Sequence, residues 1–128
     1  MKKIPGISEA EWEVMKIIWA HSPITANDVI EKLEGTVTWK PKTIKTLLSR
    51  LVKKKVISFN KEGRTYLYFP LVMEEECVKA ESQSFLRRVY GGGLQAMLAN
   101  FLEDYELTKE EIEELKEILD EKKDSKKG

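Results

Sequence analysis

Seven basic side chains and no acidic one lie between Trp39 and Lys55, in the segment WKPKTIKTLLSRLVKKK. The whole chain carries 22 basic and 22 acidic residues, so its overall charge does not explain this concentration. Crowded cations favour a polyanionic partner, because each phosphate that they neutralise releases condensed counterions. A basic cluster can also be only a solvated helix face. The two interpretations are distinguished by where these side chains lie on the secondary-structure element that carries them.

The same segment predicts one amphipathic helix. Pro41 suits its first turn, where the missing N–H costs nothing. Lys55 would return to the buried face, so we expect the helix to end near Lys54. The apolar residues recur at helical spacing and predict a buried face of Ile44, Leu47, Leu48, Leu51 and Val52. The opposite face carries Lys42, Lys45, Thr46, Ser49, Arg50 and Lys53, with Thr43 and Lys54 at its edge.

Thr43 and Thr46 lie one turn apart among these cations, where a surface built only for solubility would mix Glu with Lys. Threonine methyls can pack on thymine methyls, threonine hydroxyls can meet either donor or acceptor edges, and Arg50 can bond guanine with two N–H groups. This face therefore suits the major groove of DNA. An ordinary helix surface on a protein-interaction module is the alternative interpretation.

Two further helices are predicted before the basic one. Ser8 and Glu11 form a capping box that opens the first, over about residues 9–20. Thr25 caps a second, short helix, and Gly35 lies where a helix of that length would end. Three consecutive helices of this kind are compatible with a helix-turn-helix protein.

A β-hairpin is predicted after the basic helix. The runs VISFNK and RTYLYFP are joined through Glu62-Gly63, and Lys61 and Arg64 flank the tip. Three helices followed by a hairpin with a basic tip form a winged helix-turn-helix, in which the third helix enters the major groove and the wing contacts the backbone or the minor groove. We expect a mainly α chain with this DNA-binding domain at residues 1–71.

The charge is divided between the two halves of the chain. Residues 1–70 carry 13 basic and 7 acidic side chains, whereas residues 71–128 carry 9 and 15. The second half is therefore expected to have a different role.

Residues 72–122 predict three amphipathic helices, the second after Gly91-Gly92-Gly93 and the third opened by a capping box of Thr108 and Glu111. They are too small to close a core of their own, so we expect a helical dimerisation domain that pairs with a second copy. Packing against the first domain of the same chain is the alternative. Residues 123–128 are expected to be a disordered tail. The expected dimerisation residues are Phe85, Leu86, Val89, Leu94, Met97, Leu98, Phe101, Leu102, Ile112, Leu115 and Leu119.

Several function classes are excluded by composition. Cys77 is the only cysteine and His21 the only histidine, which together are too few for a structural zinc site, so we expect no metal and no cofactor. The same scarcity leaves no catalytic Cys/His or Ser/His/Asp set, so we do not expect an enzyme. No apolar run approaches the roughly 20 residues that span a bilayer. We expect a cytoplasmic protein without membrane insertion.

The run WKPKTIKTLLSRLVKK resembles the recognition-helix signature of the penicillinase and methicillin-resistance repressors, the BlaI/MecI family. The stretches ISEAEWEVMKIIW, KEGRTYLYFP, SFLRRVYGGG and ANFLEDYELTKEEIEEL are also similar to that family. The resemblance implies a homodimeric repressor on palindromic operators in front of β-lactamase or resistance genes, with half-sites resembling TACA and TGTA. It also implies release by cleavage, triggered by a membrane-bound β-lactam sensor with a metalloprotease domain.

By the same resemblance, the cleaved bond is Asn100–Phe101. A cut there would split the apolar stripe of the middle C-terminal helix and detach the last helix, while residues 1–70 stay folded. Separate monomers would lose an effective-concentration advantage of about 10²–10⁴. A winged-helix regulator of another signal, such as a metal or envelope stress, stays an alternative, although a copper-responsive one would need a cysteine cluster near the C-terminus.

Two residues depart from the family pattern. Lys40 stands where relatives usually have a Ser N-cap, and Lys55 where they often have Gly in the left-handed conformation. Both changes add charge beside the groove-facing side. We expect Trp39 and Leu47 to hold the helix in place. We expect base-edge or nearest-phosphate contacts from Lys42, Thr43, Thr46 and Arg50, and backbone contacts from Lys40, Lys45, Lys53, Lys54, Lys61 and Arg64.

Overall fold

The computed structural model describes residues 4–125 and contains, within them, six helices and one two-stranded antiparallel hairpin. The predicted mainly α fold with a small hairpin is confirmed. The elements are α1 (Glu9–His21), α2 (Ala26–Leu33), α3 (Pro41–Lys53), β1 (Ile57–Glu62), β2 (Thr65–Pro70), α4 (Glu74–Tyr90), α5 (Leu94–Asp104) and α6 (Lys109–Ser125).

Side-chain caps explain where three of the helices begin. Glu11 N donates to Ser8 Oγ at 3.2 Å and Ser8 N donates to Glu11 Oε1 at 2.8 Å, which completes the predicted capping box of α1. Thr25 Oγ1 accepts from the Asp28 N–H at the start of α2. The predicted capping box of Thr108 and Glu111 forms at α6.

One face of α3 lies in the core of the first unit. Ile44, Leu47, Leu48 and Leu51 are at most 4% exposed and pack with the buried faces of α1, α2 and β1. Since side chains recur every 3.6 residues, burial of this stripe fixes which side chains of α3 face outward. The core is closed by Val14, Met15, Ile18, Ile24, Val29, Leu33, Val56, Ile57, Val72 and Cys77.

The hairpin is tied to the helices by a bridge. Ile24, between α1 and α2, exchanges two backbone hydrogen bonds with Tyr68 of β2, at 3.0 and 2.7 Å. After the hairpin, the Trp19 indole N–H donates to the Val72 carbonyl at 3.0 Å. These bonds fix the base of the wing against the helices, so the tip at Gly63 projects from a supported strand pair.

The C-terminus of α3 is closed by a Schellman motif with Lys55 in the left-handed conformation. Lys55 has φ 62°, the Val56 N–H donates to the Leu51 carbonyl, and the Lys55 N–H donates to the Val52 carbonyl. Glycine normally occupies this position because it lacks a Cβ. The expected left-handed lysine is therefore present.

The chain divides into two units between Ser84 and Phe85, inside α4. This division falls later than the predicted boundary after residue 71, because the first turn of α4 packs into the first core through Cys77, which is 2% exposed. Helix α6 continues to Ser125, beyond the predicted start of a tail at residue 123. Residues 126–128 of that tail lie outside the described residues.

Replacing Lys55 by glycine is expected to raise the free energy of unfolding of the first unit by about 0.5–1 kcal/mol, since the left-handed strain is relieved. Urea unfolding followed by tryptophan fluorescence measures this, because Trp12, Trp19 and Trp39 all lie in this unit. Lys53→Gly, at a helical position, is the control and should lower stability by a similar amount. No gain from Lys55→Gly would contradict the strain assignment.

Candidate nucleic-acid interface

Helix α3 exposes the side chains that the sequence assigned to its outer face. Lys42, Thr43, Lys45, Thr46, Ser49, Arg50 and Lys53 are all exposed, opposite the buried stripe. The N-cap residue, Lys40, makes no side-chain cap hydrogen bond. The N-terminus of α3 therefore offers positive helix-dipole charge beside Lys40 and Lys42.

The Thr46 hydroxyl has a defined partner. Its Oγ1 donates to the Lys42 carbonyl at 3.0 Å, one turn back along the helix. With its hydrogen committed, the hydroxyl can act toward a ligand only as an acceptor, beside its methyl group. This narrows the ways in which Thr46 can read a base edge.

The wing tip carries its two predicted cations. A turn with Gly63 at φ 63° joins β1 to β2, and Lys61 pairs in register with Tyr66. Lys61 Nζ lies 5.9 Å from the centroid of the Tyr66 ring, within cation–π distance. Arg64 is exposed at the turn. The wing thus presents cations next to an exposed aromatic side chain.

A cleft of about 360 Å³ lies between α2, α3 and the wing. It brings together Lys45 and Arg64, which the sequence predicted as DNA-binding residues. It is also lined by Tyr66, Tyr68 and the N-terminal end of α2, which the sequence analysis did not include. The N-terminal end of α2 lies at this cleft and carries partial positive helix-dipole charge. Side chains alternate along β2, so Tyr66 and Tyr68 lie on the same strand face. This alternation was the sequence signal that could have assigned the two tyrosines to the cleft. The lining residues are Thr25, Ala26, Asn27, Lys45, Ser49, Arg64, Thr65, Tyr66 and Tyr68.

Tyr68 is a half-buried hydroxyl side chain of this cleft. Burial, and then the neighbouring Tyr66, raise the pKa of Tyr68 above its ordinary value of 10.0. Its hydroxyl therefore stays protonated and can donate a hydrogen bond to an anion.

Lys54 differs from the other predicted cations. Its Nζ lies 2.6 Å from Glu11 Oε1 and 3.0 Å from the Gly6 carbonyl oxygen. Glu11 is 1% exposed, and its Oε2 has no hydrogen-bond partner among the described residues. The Lys54 ammonium is thus engaged in tying the end of α3 to the start of α1.

The Glu11 carboxyl stays ionised despite its burial. Burial raises its pKa, but the Lys54 ammonium and the Ser8 N–H donate hydrogen bonds that outweigh burial, so the pKa lies below its ordinary value of 4.5. A carboxyl with a lowered folded-state pKa stabilises the fold above its unfolded-state value. This stabilisation is lost as the pH falls below about 4.5 and through the lowered pKa.

The second unit leaves its apolar side chains uncovered. No described residue of α5 or α6 is buried. Seven of the eleven predicted dimerisation residues are exposed, among them Val89, Leu94, Phe101 and Leu119 at 41–59%. The other members of that set, Phe85, Leu86, Met97 and Leu98, are half-buried, while Leu102, Ile112 and Leu115 are exposed. Tyr105 and Ile118, which were not in the predicted dimerisation set, are more exposed still.

The predicted cleavage residues Asn100 and Phe101 lie inside α5, and both are exposed. Within residues 4–125, no cluster of three or more His, Cys, Asp or Glu side chains could hold a metal ion. None of the described helices is long and apolar enough to cross a membrane.

The three helices, the supported wing and the cationic outer face of α3 define a winged helix-turn-helix protein. Residues 7–121 match the family model of the penicillinase repressor. The chain is 53% identical to the penicillinase repressor of Bacillus licheniformis over 99% of both chains. It is 43% identical to the methicillin resistance regulatory protein MecI of Staphylococcus aureus, over 91% of this chain and 94% of MecI.

A solved structure of a penicillinase repressor is also similar to this chain. The solution structure of monomeric BlaI from Bacillus licheniformis in complex with the blaP half-operator is 55% identical, with a TM-score of 0.52, and covers 59% of this chain and 93% of that chain. This chain therefore belongs to the penicillinase repressor family, as the sequence resemblance predicted. Membership of a repressor family also agrees with the expectation that the chain is not an enzyme.

Lys54→Gln is expected to lower the free energy of unfolding by about 1–3 kcal/mol at neutral pH, because it leaves the buried Glu11 carboxylate short of a partner. The loss should shrink as the pH falls below 4.5 and through the lowered pKa of Glu11, because protonation removes the charge that Lys54 pairs with. Because its ammonium is already engaged, Lys54→Gln should leave the salt dependence of DNA affinity unchanged.

Lys53→Gln is the matched control. It should change stability by less than about 0.5 kcal/mol and lower the slope of log affinity against log salt by about one unit. Urea unfolding and fluorescence anisotropy give the two quantities. If Lys54→Gln lowered the salt slope as much as Lys53→Gln does, Lys54 would have to contact a DNA phosphate.

Proposed function

We propose that this chain is a cytoplasmic transcriptional repressor that binds palindromic operator DNA as a homodimer and controls β-lactamase or related resistance genes. The observation that carries the proposal is the outer face of α3, where cations and threonines are exposed directly opposite the buried stripe. The same fold, in a family member 55% identical, is in complex with a half-operator.

The cations would supply affinity and the threonines with Arg50 would supply sequence preference. Lys40, Lys45, Lys53, Lys61 and Arg64 are proposed to neutralise phosphates, which releases counterions. Lys42, Thr43, Thr46 and Arg50 would lie against base edges or the nearest phosphates in the major groove.

The cleft between α2, α3 and the wing is proposed to hold one backbone phosphate. Lys45 and Arg64 would balance its charge, and the N-terminus of α2 would point partial positive charge at it. A phosphate held there would fix the register in which α3 enters the groove, because contacts to the backbone position the protein while base contacts specify the sequence.

The second unit is proposed to form the dimer. Its apolar side chains on α5 and α6 are exposed in the protomer, and a second copy offers the same face in a symmetric arrangement. Pairing would set two copies of α3 at a fixed spacing, which matches the two halves of a palindromic site.

Proteolysis is proposed to release the operator. A membrane β-lactam sensor and protease system would lead to a cut between Asn100 and Phe101, in the middle of α5. Exposed apolar residues lie on both sides of that bond, at Leu94 and Leu102 and on α6. The cut would therefore divide the dimer face, and each first unit would bind its half-site alone.

The direct test is fluorescence anisotropy of a labelled duplex with two TACA/TGTA half-sites, titrated at several salt concentrations beside a scrambled duplex. We expect two chains for each duplex, a preference for the palindrome of about 10³-fold or more, and a steep loss of affinity with salt. Equal, weak binding to both duplexes would overturn the repressor proposal.

Thr46→Ala is expected to cost about 1–3 kcal/mol of binding to the palindrome and little on the scrambled duplex. Thr46→Val should recover most of the loss, because it keeps a methyl, and the hydroxyl hydrogen that it removes is already donated to the Lys42 carbonyl. Competition titrations on both duplexes measure the difference. A Val variant as weak as the Ala variant would show that the hydroxyl itself bonds the DNA.

Lys40→Ser should make binding less salt-dependent by about one unit of slope and increase the preference for the palindrome. It should also raise the free energy of unfolding by about 0.5–2 kcal/mol, since Ser can cap α3 where Lys40 makes no cap bond. Anisotropy and urea unfolding measure the two effects. Equal salt slopes for the two proteins would contradict a phosphate contact from Lys40.

A further inference from the structure

Tyr90 contacts both residues of the bond that we propose is cut. The Asn100 side chain donates from Nδ2 to the Tyr90 hydroxyl oxygen at 2.9 Å. The Phe101 ring lies edge-on to the Tyr90 ring, with centroids 6.4 Å apart and an interplanar angle of 86°. One side chain at the end of α4 therefore holds the residues on both sides of the Asn100–Phe101 bond.

Phe85 completes the cluster around Tyr90. Its ring centroid lies 6.0 Å from that of Tyr90 and 6.4 Å from that of Phe101, so the three rings are in mutual contact. Tilted and edge-on aromatic pairs contribute beyond simple burial of area. All four side chains belong to the second unit.

A glycine turn makes this contact possible. Gly91 and Gly92 have φ of 59° and 88°, a conformation that other residues adopt only with strain. The Gly93 N–H donates to the Tyr90 carbonyl at 2.9 Å, so the turn is tight. The chain thereby reverses directly after Tyr90 and brings the middle of α5 back against the end of α4.

An endopeptidase cannot cut a bond that stays helical, since exposed flexible segments are the sites that are nicked. Asn100 and Phe101 are exposed, so conformation is the barrier that remains in the protomer. Opening α5 at this bond must break the hydrogen bond to Tyr90 and separate the three rings. The rate of cutting follows the population of the opened form when opening and closing are fast.

We infer that Tyr90 is a positioning residue that holds the Asn100–Phe101 bond in its helical form and so sets the rate at which a protease cuts it. The inference rests on the proposed function for the identity of the bond. Its physical content, control of local opening of α5 by Tyr90, is measurable without the sensor and protease system.

The experiment compares the full-length protein with Tyr90→Phe, which keeps the ring and removes the hydroxyl. Hydrogen exchange of the α5 amides and limited digestion by thermolysin, a metalloprotease that cuts before large apolar residues, are measured at equal oligomeric state. Fragment masses identify the cut between Asn100 and Phe101. We expect the amide exchange rate around this bond and the rate of cutting at it to rise about two- to tenfold. This is the change expected when one hydrogen bond is lost.

Tyr105→Phe is the matched control, because Tyr105 is 70% exposed in the segment between α5 and α6. It should change neither rate. In an Asn100→Ala background, Tyr90→Phe should add nothing to amide exchange, because the bond that it removes is already absent. A general loosening of the unit would instead add to the effect of Asn100→Ala and would also speed exchange throughout α6.

Unchanged exchange and cutting in Tyr90→Phe, or a full additional effect in the Asn100→Ala background, would overturn the inference. A failure of the proposed function gives a different result. If the sensor and protease system leaves this chain intact while Tyr90→Phe still opens α5 faster in vitro, then Tyr90 controls the opening and the proposed release pathway is wrong.

Discussion

Burial of one face of α3 is the constraint on which the rest of the first unit depends. Ile44, Leu47, Leu48 and Leu51 pack with the buried faces of α1, α2 and β1, and the helical period then fixes the opposite face outward. Removing a large apolar side chain from such a site costs about 2–5 kcal/mol. Stability and nucleic-acid recognition are thus set by the same turns of one helix, so a change of register in α3 would abolish both.

The two ends of α3 show how charge is distributed between stability and binding. At the N-terminus Lys40 makes no side-chain cap hydrogen bond, and after the C-terminus Lys55 occupies a left-handed position that favours glycine. Each lysine places a cation at the edge of the proposed groove-facing side, at a position where a Ser cap or a glycine would favour fold stability. Lys54 instead contributes to fold stability, since its ammonium is paired with the buried Glu11 carboxylate.

Features that depend on neighbours in sequence were predictable, and those that depend on distant contacts were not. The two faces of α3, the capping box of Ser8 and Glu11, and the hairpin follow from spacing within a few residues. The pairing of Lys54 with Glu11 joins residues 43 positions apart. The cleft behind Lys45 and the contact of Tyr90 with Asn100 likewise require the fold, because no periodicity specifies which elements meet.

Amide chemical shifts of the full-length protein, titrated with a duplex that carries one TACA half-site, test the central claim most directly. Recognition through α3 predicts the largest changes at Lys42–Arg50, with smaller changes at the wing tip around Gly63 and at the N-terminus of α2. The amides of α5 and α6 should be unaffected. Changes concentrated in the second unit, with α3 unperturbed, would contradict the assignment of the outer face of α3 as the DNA-binding surface.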